Sequence, residues 1–353
     1  MPFSAQIRAI SYYVPRQTLD NEELIAKFSG WTAEKMERKL GIVSRPIAAD
    51  GETATDMAVA AAERLLGSRV VDSNSIDFLV FCTQSPDYFL PTGACLLQDR
   101  LGLPKRCGAF DINLGCSGYV YGLAIVKGLI DSGLARRVLF VTSETYSKYI
   151  NEMDRASRPL FGDAATATLI EGVPIDTTGS LCSESSIGPF RFGTDGSGSD
   201  LLIVPAGAHR TPPTDETKKV LPDMRGNFRS QEQLMMSGPG IFNFAVEEVP
   251  PLVASLQEEC QQKNLSIDTY IFHQANRYML SRLQDICHLE GTRYFSNMLT
   301  RGNSVSSSIP LAIHDAVTEG FIHPGESAML VGFGVGLSWA GCRIRLPEDF
   351  KIL

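Results

Sequence analysis

Short apolar runs alternate along the chain with longer stretches in which apolar residues recur at helical spacing. The runs that predict buried strands are DFLVFC (77–82), RVLFVTS (137–143), TATLIEG (166–172) and AMLVGFG (328–334). Residues 56–68 and 247–264 predict helices, and Pro250 and Pro251 are expected in the first turn of the second helix or at a kink. This alternation is typical of a layered α/β protein.

The order of strands and helices repeats along the chain. Three segments of the first half have similar partners about 190 residues later: 75–84 with 266–275, 122–133 with 310–321, and 137–144 with 327–334. Three matches in one order predict a duplicated αβ unit, with halves at 1–173 and 174–353. Residues 185–232 are rich in Gly, Pro and charge, and they predict a long surface excursion.

Composition narrows the class of protein. The 353 residues are 44% hydrophobic and 20% charged, as in a globular protein, and their formal net charge of −8 argues against nucleic acid as the main partner. No apolar run approaches the roughly 20 residues that span a bilayer, and the first residues do not resemble a signal peptide. Eight cysteines without a CxxC pair predict a reducing, cytoplasmic location.

Cys116 lies at a strand-to-helix junction, between the strand-like RCGAFDI and a run of apolar residues at helical spacing. Unpaired amides and the positive dipole end at a helix N-terminus favour a thiolate. Gly115, Ser117 and Gly118 are expected to leave the sulfur uncrowded, so the position predicts a nucleophile. A structural role is an equal alternative for Cys116 alone, because buried cysteine usually acts as a small hydrophobe. That is the interpretation of Cys82, Cys95, Cys107, Cys182, Cys260, Cys287 and Cys342.

Two motifs in the second half supply partners for Cys116. FHQAN (272–276) follows the second copy of a repeated strand and contains His273, and RGNSVSSSIP (301–310) precedes the second copy of a repeated helix and contains Asn303. A duplicated fold can bring these residues to Cys116 near a pseudo-twofold axis, where their side chains could hydrogen-bond a thioester carbonyl as it gains negative charge. Taken singly, a strand histidine is usually a core residue and an Asn after Gly is usually a turn residue.

The sequence resembles the β-ketoacyl-acyl-carrier-protein synthase III family of the thiolase-like superfamily. The resemblance covers nearly the whole chain and is most specific in DINLGCSGYVYGL, DRASRPLFGDAATA, FHQAN and RGNSVSSSIP. It implies a thiolase-like fold, with the duplicated αβ halves in a five-layer α-β-α-β-α arrangement. It also implies an acyltransferase that loads an acyl group from acyl-CoA onto Cys116. A malonyl thioester on an acyl carrier protein then loses CO₂ and attacks, giving a β-ketoacyl product.

The resemblance also implies roles for individual residues. His273 and Asn303 would stabilise the enolate, and the backbone N–H groups of Cys116 and Val335 would form the oxyanion hole. Phe161 would wall the thiol pocket, or else simply pack in the core. The positions that match CoA-contacting or tunnel-lining residues are Trp31, Arg155, Met236 and Phe242. Core packing accounts equally well for Met236 and Phe242. No metal or cofactor is implied.

Leu90 occupies the position of a bulky gate at the dimer interface, which implies a homodimer and a longer or branched acyl chain, unless Phe89 fills the same space. Leu90, the altered Trp31 region and the long excursion motivate an alternative: a family offshoot with another acceptor, in acyl–acyl condensation, secondary-metabolite ring formation or acyl transfer to an alcohol or amine. A third possibility, a non-catalytic partner subunit, usually lacks the cysteine. The basic residues of 205–232 indicate first a solvated loop and second a carrier-docking surface.

Overall fold

The computed structural model describes residues 3–28, 30–175, 187–224 and 226–353. Its longer strands are β1 (Phe3–Tyr13), β4 (Phe78–Cys82), β5 (Gly108–Ile112), β6 (Arg137–Glu144), β7 (Ala164–Pro174), β8 (Ile187–Thr194), β13 (Thr269–Phe272), β15 (Ser327–Gly334) and β16 (Ser338–Arg345). The shorter strands are β2 (Gln17–Asp20), β3 (Ser44–Ile47), β9 (Leu202–Ile203), β10 (Leu221–Pro222), β11 (Phe228–Arg229), β12 (Met235–Met236), β14 (Tyr294–Phe295) and β17 (Lys351–Ile352).

The helices are α1 (Asn21–Lys27), α2 (Ala33–Leu40), α3 (Ala54–Gly67), α4 (Gly93–Arg100), α5 (Gly118–Asp131), α6 (Gly238–Gln262), α7 (Arg277–Ile286), α8 (Met298–Arg301) and α9 (Ser308–Thr318). Helix α3 confirms the helix predicted at 56–68. Helix α6 begins at Gly238, well before the predicted start at 247, because Ser237 caps it and Pro239 occupies its first turn. Pro250 and Pro251 therefore lie inside a helix rather than in its first turn.

The two large sheets have the same strand order. One runs β1-β7-β6-β4-β5, with β17 added beside β1, and the other runs β8-β16-β15-β13-β14. Corresponding neighbours also agree in direction: β4 is parallel to β5 and β6, as β13 is to β14 and β15, whereas β6–β7 and β15–β16 are antiparallel. The predicted duplication is therefore confirmed in the topology. The boundary near 173 stays a prediction, although β7 ends at Pro174.

The sheets and helices form five layers. Helices α3 and α4 cover the outer face of the first sheet, α6 and α7 lie outside the second, and α5 and α9 lie between the two sheets. Helix α5 contacts strands of both sheets, so its apolar residues Tyr119, Val120, Leu123, Val126 and Ile130 are fully buried. Burying such side chains contributes about 1.5–3 kcal/mol each, which holds the start of α5 in the centre of the molecule. The predicted five-layer α-β-α-β-α arrangement of duplicated halves is confirmed.

The predicted excursion is more ordered than its composition suggests. Strand β8 forms the edge of the second sheet, pairing with β16, although its Gly and Pro predicted a loop. An edge strand pairs on one side only, so it tolerates Pro better than a central strand. A hairpin of β10 and β11 follows. Cys182 and Arg225 fall outside the described residues. No helix in the described part of the chain is long and apolar enough to cross a membrane.

Candidate active site

Cys116 lies two residues before α5, at the predicted strand-to-helix junction, and is 5% exposed. Ser117 occupies the N-cap position of α5, but its hydroxyl makes no hydrogen bond to the backbone of the first turn. The hydroxyl oxygen instead lies 2.6 Å from that of Ser338 in the other half. A tight turn precedes the helix, with the Gly118 N–H donating to the Gly115 carbonyl over 2.8 Å. Backbone geometry and a hydrogen bond between the halves therefore fix the position of the sulfur.

The space around the sulfur comes from the opposite half of the molecule. A Cβ on Gly334, the last residue of β15, would lie 2.9 Å from both the Cβ and the sulfur of Cys116. A Cβ on Gly332 would lie 2.6 Å from the Cys116 carbonyl oxygen. Gly115 and Gly118, which were predicted to leave the sulfur uncrowded, instead leave room for the side chains of Gln84 and Cys82 respectively. Gly334 is thus the residue that keeps the sulfur uncrowded.

Burial favours the thiol of Cys116 over the thiolate. Burial and, next, the negative charge of Glu144 raise the pKa of the Cys116 thiol to about 12, while hydrogen bonds from the backbone N–H groups of Cys116 and Val335 act to lower it. Desolvation thus outweighs the nearby amides, so the helix N-terminus does not lower the pKa of the thiol as the sequence predicted. Those two amides are the pair predicted for the oxyanion hole.

His273 directly follows β13 and is buried. Burial lowers the pKa of its imidazole to about 3, so the ring is neutral at physiological pH. Its Nδ1 lies 2.7 Å from the Ser308 hydroxyl oxygen, which in turn lies 2.8 Å from the Val305 carbonyl oxygen. The hydroxyl can donate to either partner. When it donates to Nδ1, the neutral ring carries its proton on Nε2; when it donates to Val305, Nε2 carries a lone pair.

Asn303 precedes α9 in a loop that contacts the first half of the chain. Its backbone N–H donates to the Leu160 carbonyl over 2.9 Å, and its carbonyl accepts from the Gly162 N–H over 3.0 Å. The side-chain oxygen accepts from the Val305 N–H over 3.0 Å. This bond determines which way the amide faces, because only the oxygen can accept, and it leaves the amide NH₂ as the group able to donate elsewhere.

One cavity of about 600 Å³ brings these residues together. Cys116, His273, Asn303 and Gly334 all line it. The sequence-predicted residues Trp31, Arg155, Phe161 and Met236 are also in its wall, and the ring of Phe161 packs on Tyr146 with centroids 5.3 Å apart. Among the described residues, no group of three or more His, Cys, Asp or Glu side chains is placed to hold a metal ion.

Two predicted residues lie away from this cavity. Phe242 stacks on Tyr278, with ring centroids 5.4 Å apart, and its neighbour Ile241 lines the cavity instead. The reason is the helical register of α6, which turns successive residues to different sides. Leu90 does not line the cavity and is 87% exposed, beside Phe89 at 75% and Tyr88 at 61%.

The hairpin of the excursion forms part of the cavity wall, which the composition did not indicate. Asp223, Met224, Asn227 and Arg229 line the cavity beside Arg155. Two nitrogens of the Arg229 guanidinium donate to the fully buried Asp154 over 2.7 and 3.0 Å. This ion pair fastens the hairpin to the loop that carries Arg155. Most of the hairpin is exposed, as predicted for 205–232, but Asn227 is buried and Arg229 is half-buried, so the hairpin is also a part of the cavity wall that the sequence did not predict.

Several residues around the site carried no recognisable signal in the sequence. Glu144 is a buried carboxylate beside the cysteine turn, and Ser306 and Ser308 belong to a polar run that reads as a loop. Gly334 could have been found from the repeat, since it ends the second copy of a strand whose first copy ends at Glu144.

Two family models match the chain, and both describe the same family. The model described as 3-Oxoacyl-[acyl-carrier-protein (ACP)] synthase III matches residues 110–196, and the model of that family's C-terminal part matches residues 258–346. Beta-ketoacyl-[acyl-carrier-protein] synthase III 3 of Streptomyces coelicolor is 34% identical to this chain, over 95% of each chain.

Two solved structures with similar folds carry closely related names. A 3-oxoacyl-(acyl-carrier-protein) synthase III is 43% identical with a TM-score of 0.91, over 97% of this chain and 99% of the other. A 3-oxoacyl-(acyl-carrier protein) synthase from Burkholderia xenovorans LB400 is 34% identical with a TM-score of 0.87, over 99% and 97% of the two chains. The likeness in sequence and structure thus extends over almost the full length of each chain.

Proposed function

This chain belongs to the 3-oxoacyl-[acyl-carrier-protein] synthase III family, and from that premise we propose how its residues carry out the condensation. The enzyme joins an acyl group from acyl-CoA to a malonyl thioester on an acyl carrier protein, with loss of CO₂. The observation that supports the assignment of residues is the shared cavity, which is lined by Cys116, His273 and Asn303 from both halves of the duplication.

In the first step Cys116 takes the acyl group. The sulfur attacks the thioester carbonyl, the bond to the CoA sulfur breaks, and the proton lost by the thiol goes to the leaving CoA thiolate. Backbone N–H groups of Cys116 and Val335 hydrogen-bond the carbonyl oxygen as it becomes negative. The leaving CoA sulfur is the acceptor for this proton, because the buried His273 ring, with a pKa of about 3, is too weak a base to take it from a thiol with a pKa of about 12.

In the second step the malonyl thioester loses CO₂, and the electron pair of the broken C–C bond forms an enolate. The Asn303 amide NH₂ and the His273 Nε2–H hydrogen-bond the enolate oxygen, the latter when Ser308 donates to Nδ1. The enolate carbon attacks the acyl-Cys carbonyl, a C–C bond forms, and the Cys116 sulfur leaves as a thiolate, which takes up one proton to restore the thiol. This chemistry is acyl transfer, and the product is a β-ketoacyl thioester on the carrier.

The substrates' pantetheine arm would enter along the wall that contains Trp31, Arg155 and Met236. The ammonium nitrogens of Lys35 and Lys39 lie 5.5 and 5.6 Å from the centre of the Trp31 ring, which places positive charge at this part of the cavity. Coenzyme A and the phosphopantetheine of a carrier protein are both anionic, so this charge favours their approach.

A homodimer is also part of the proposal. Tyr88, Phe89 and Leu90 form a contiguous exposed apolar segment, which is typical of a protein interface. In a dimer this segment would contribute to the neighbouring subunit's acyl pocket. Replacing Leu90 with Asp should shift the protein toward monomers in sedimentation analysis. If the variant sediments as the wild type does, the segment is not the interface.

Mass spectrometry of the intact protein after incubation with acyl-CoA tests the first step. We expect one acyl adduct, located on Cys116 in the peptide digest, and none in Cys116→Ser, because a buried serine is a far weaker nucleophile. Absence of an adduct with every chain length tested would contradict the assignment.

Assaying product with and without malonyl-carrier protein separates decarboxylative condensation from the alternative of a family offshoot with another acceptor. A product formed without the malonyl donor would indicate the offshoot chemistry.

A further inference from the structure

Ser306 reaches across the molecule to Glu144. Its hydroxyl donates to Glu144 Oε1 over 2.7 Å, and both residues are buried. Ser306 belongs to the loop that carries Asn303, whereas Glu144 is the last residue of β6 in the other half. The bond therefore joins the Asn303 loop to the half of the chain that contains Cys116.

Glu144 is itself held firmly. Its carboxylate accepts from the Gln84 N–H over 3.1 and 3.2 Å and from the Ser85 hydroxyl over 3.0 Å, in addition to Ser306. Ser85 in turn accepts from the Thr145 N–H over 3.1 Å. Burial raises the pKa of the Glu144 carboxyl group to about 8, while the bonds from Ser306, Gln84 and Ser85 act to lower it, since all these partners are donors. Glu144 is thus a fixed anchor at the carboxyl ends of β4 and β6.

The anchor acts on the residue next to Ser306. Val305 has a φ of +53°, a left-handed conformation that is unfavourable for a β-branched residue. In this conformation its N–H donates to the side-chain oxygen of Asn303 over 3.0 Å and so orients the amide. A strained residue keeps its conformation only where its surroundings hold it, and the Ser306–Glu144 bond is the side-chain contact immediately after it.

We infer that Ser306 and Glu144 are positioning residues for the decarboxylation step, because they hold Val305 in the conformation that aims the Asn303 amide at the malonyl thioester. The inference rests on the proposed function of Asn303 and goes beyond it. It predicts that the two half-reactions respond differently. Acyl loading uses the Cys116 turn and the amides of Cys116 and Val335, whereas decarboxylation uses Asn303.

The test is Ser306→Ala, with Ser85→Ala as the matched control. Both substitutions remove a buried hydroxyl that donates to the same carboxylate, but Ser85 has no bond to the Asn303 loop. For Ser306→Ala we expect kcat for malonyl decarboxylation to fall about tenfold, as a misplaced catalytic group does, while KM and the rate of Cys116 acylation stay within about twofold. Ser85→Ala should show no such difference between the two steps.

A double-mutant comparison distinguishes positioning from a general loss of structure. If Ser306 acts through Asn303, Ser306→Ala should cause no further loss in an Asn303→Ala background. Equal losses in both backgrounds, or equal slowing of loading and decarboxylation with a lowered melting temperature, would overturn the inference. If Asn303→Ala alone leaves decarboxylation unchanged, it is the proposed role of Asn303 that fails. If only Ser306→Ala has no effect, the proposed function stands and this inference falls.

Discussion

Helices α5 and α9 begin at equivalent places in the duplicated fold, yet the residues just before them make different contacts. Cys116 lies two residues before α5 and faces Gly334, the last residue of β15. Ser306 lies two residues before α9 and bonds Glu144, the last residue of β6. In one copy a glycine leaves room for a reactive sulfur; in the other a carboxylate holds a hydroxyl. The residue opposite the helix start determines which chemistry is possible there.

The backbone elements around Cys116 and Ser306 are arranged alike in the two copies. The residue that caps α5, Ser117, contacts Ser338 at the start of β16, and the residue that caps α9, Ser307, donates to the carbonyl of Ala164 at the start of β7. Strands β7 and β16 correspond in the two sheets. Each of these serines therefore joins the start of its helix to the start of the corresponding strand in the opposite half, Ser117 through a hydroxyl and Ser307 through a backbone carbonyl. Duplication accounts for the placement of both positions, and differences at a few facing residues account for the proposed nucleophile on one side and the proposed donor loop on the other.

The comparison predicts that Asn303→Ala impairs only the chemistry of the second copy. Removing the amide NH₂ should slow malonyl decarboxylation about 10²-fold or more, because an oriented donor to a developing oxyanion is lost. Acyl loading should stay close to the wild-type rate, since the turn and the amides beside Cys116 are unchanged. Release of CO₂ from malonyl-carrier protein and intact-mass acylation measure the two steps separately. A decarboxylation rate equal to that of the wild type would refute the role.

Gly334→Ala should impair the first copy by a smaller factor. The added Cβ would lie 2.9 Å from the Cys116 sulfur, a distance at which atoms must move, and the sulfur would be pushed from the two amides. We expect the acylation rate to fall about tenfold, as displacement of a reacting group does. The readout is the time course of adduct formation by mass spectrometry.

Gly128→Ala is the matched control for this substitution. Gly128 lies in α5, the helix that follows Cys116, and a Cβ there meets no heavy atom within 4 Å. The alanine should leave acylation unchanged and stabilise the protein by up to about 1 kcal/mol, because glycine is unfavourable inside a helix. If both alanines slow acylation alike, crowding at the sulfur is not the cause.

The sequence was sufficient for the fold because the fold depends on patterns that repeat along the chain. Apolar periodicity and the repeat of about 190 residues predicted the two sheets, and motif resemblance predicted Cys116, His273 and Asn303. Contacts between side chains of the two halves could not be predicted from the sequence. The pairing of Ser306 with Glu144 joins residues 162 positions apart, and no periodicity encodes such a contact. Composition also misjudged the hairpin, since Arg229 reads as a surface charge until its buried partner Asp154 is known.

A final difference between the copies concerns the dependence of folding stability on pH. His273 follows β13 where the first copy has Cys82, which ends β4, and only the histidine titrates in the acid range. Burial lowers the pKa of His273 to about 3 from its ordinary 6.5, so the unfolded chain binds the extra proton and stability falls as pH falls below 6.5. Relative to His273→Gln, the wild type should lose about 2 kcal/mol of unfolding free energy between pH 7 and pH 5. Denaturant titrations at both pH values measure this difference.

His323→Gln, which removes an exposed histidine, is the control and should show the same loss of unfolding free energy between pH 7 and pH 5 as the wild type. Identical pH dependence in the wild type and His273→Gln would show that His273 is not held neutral by burial.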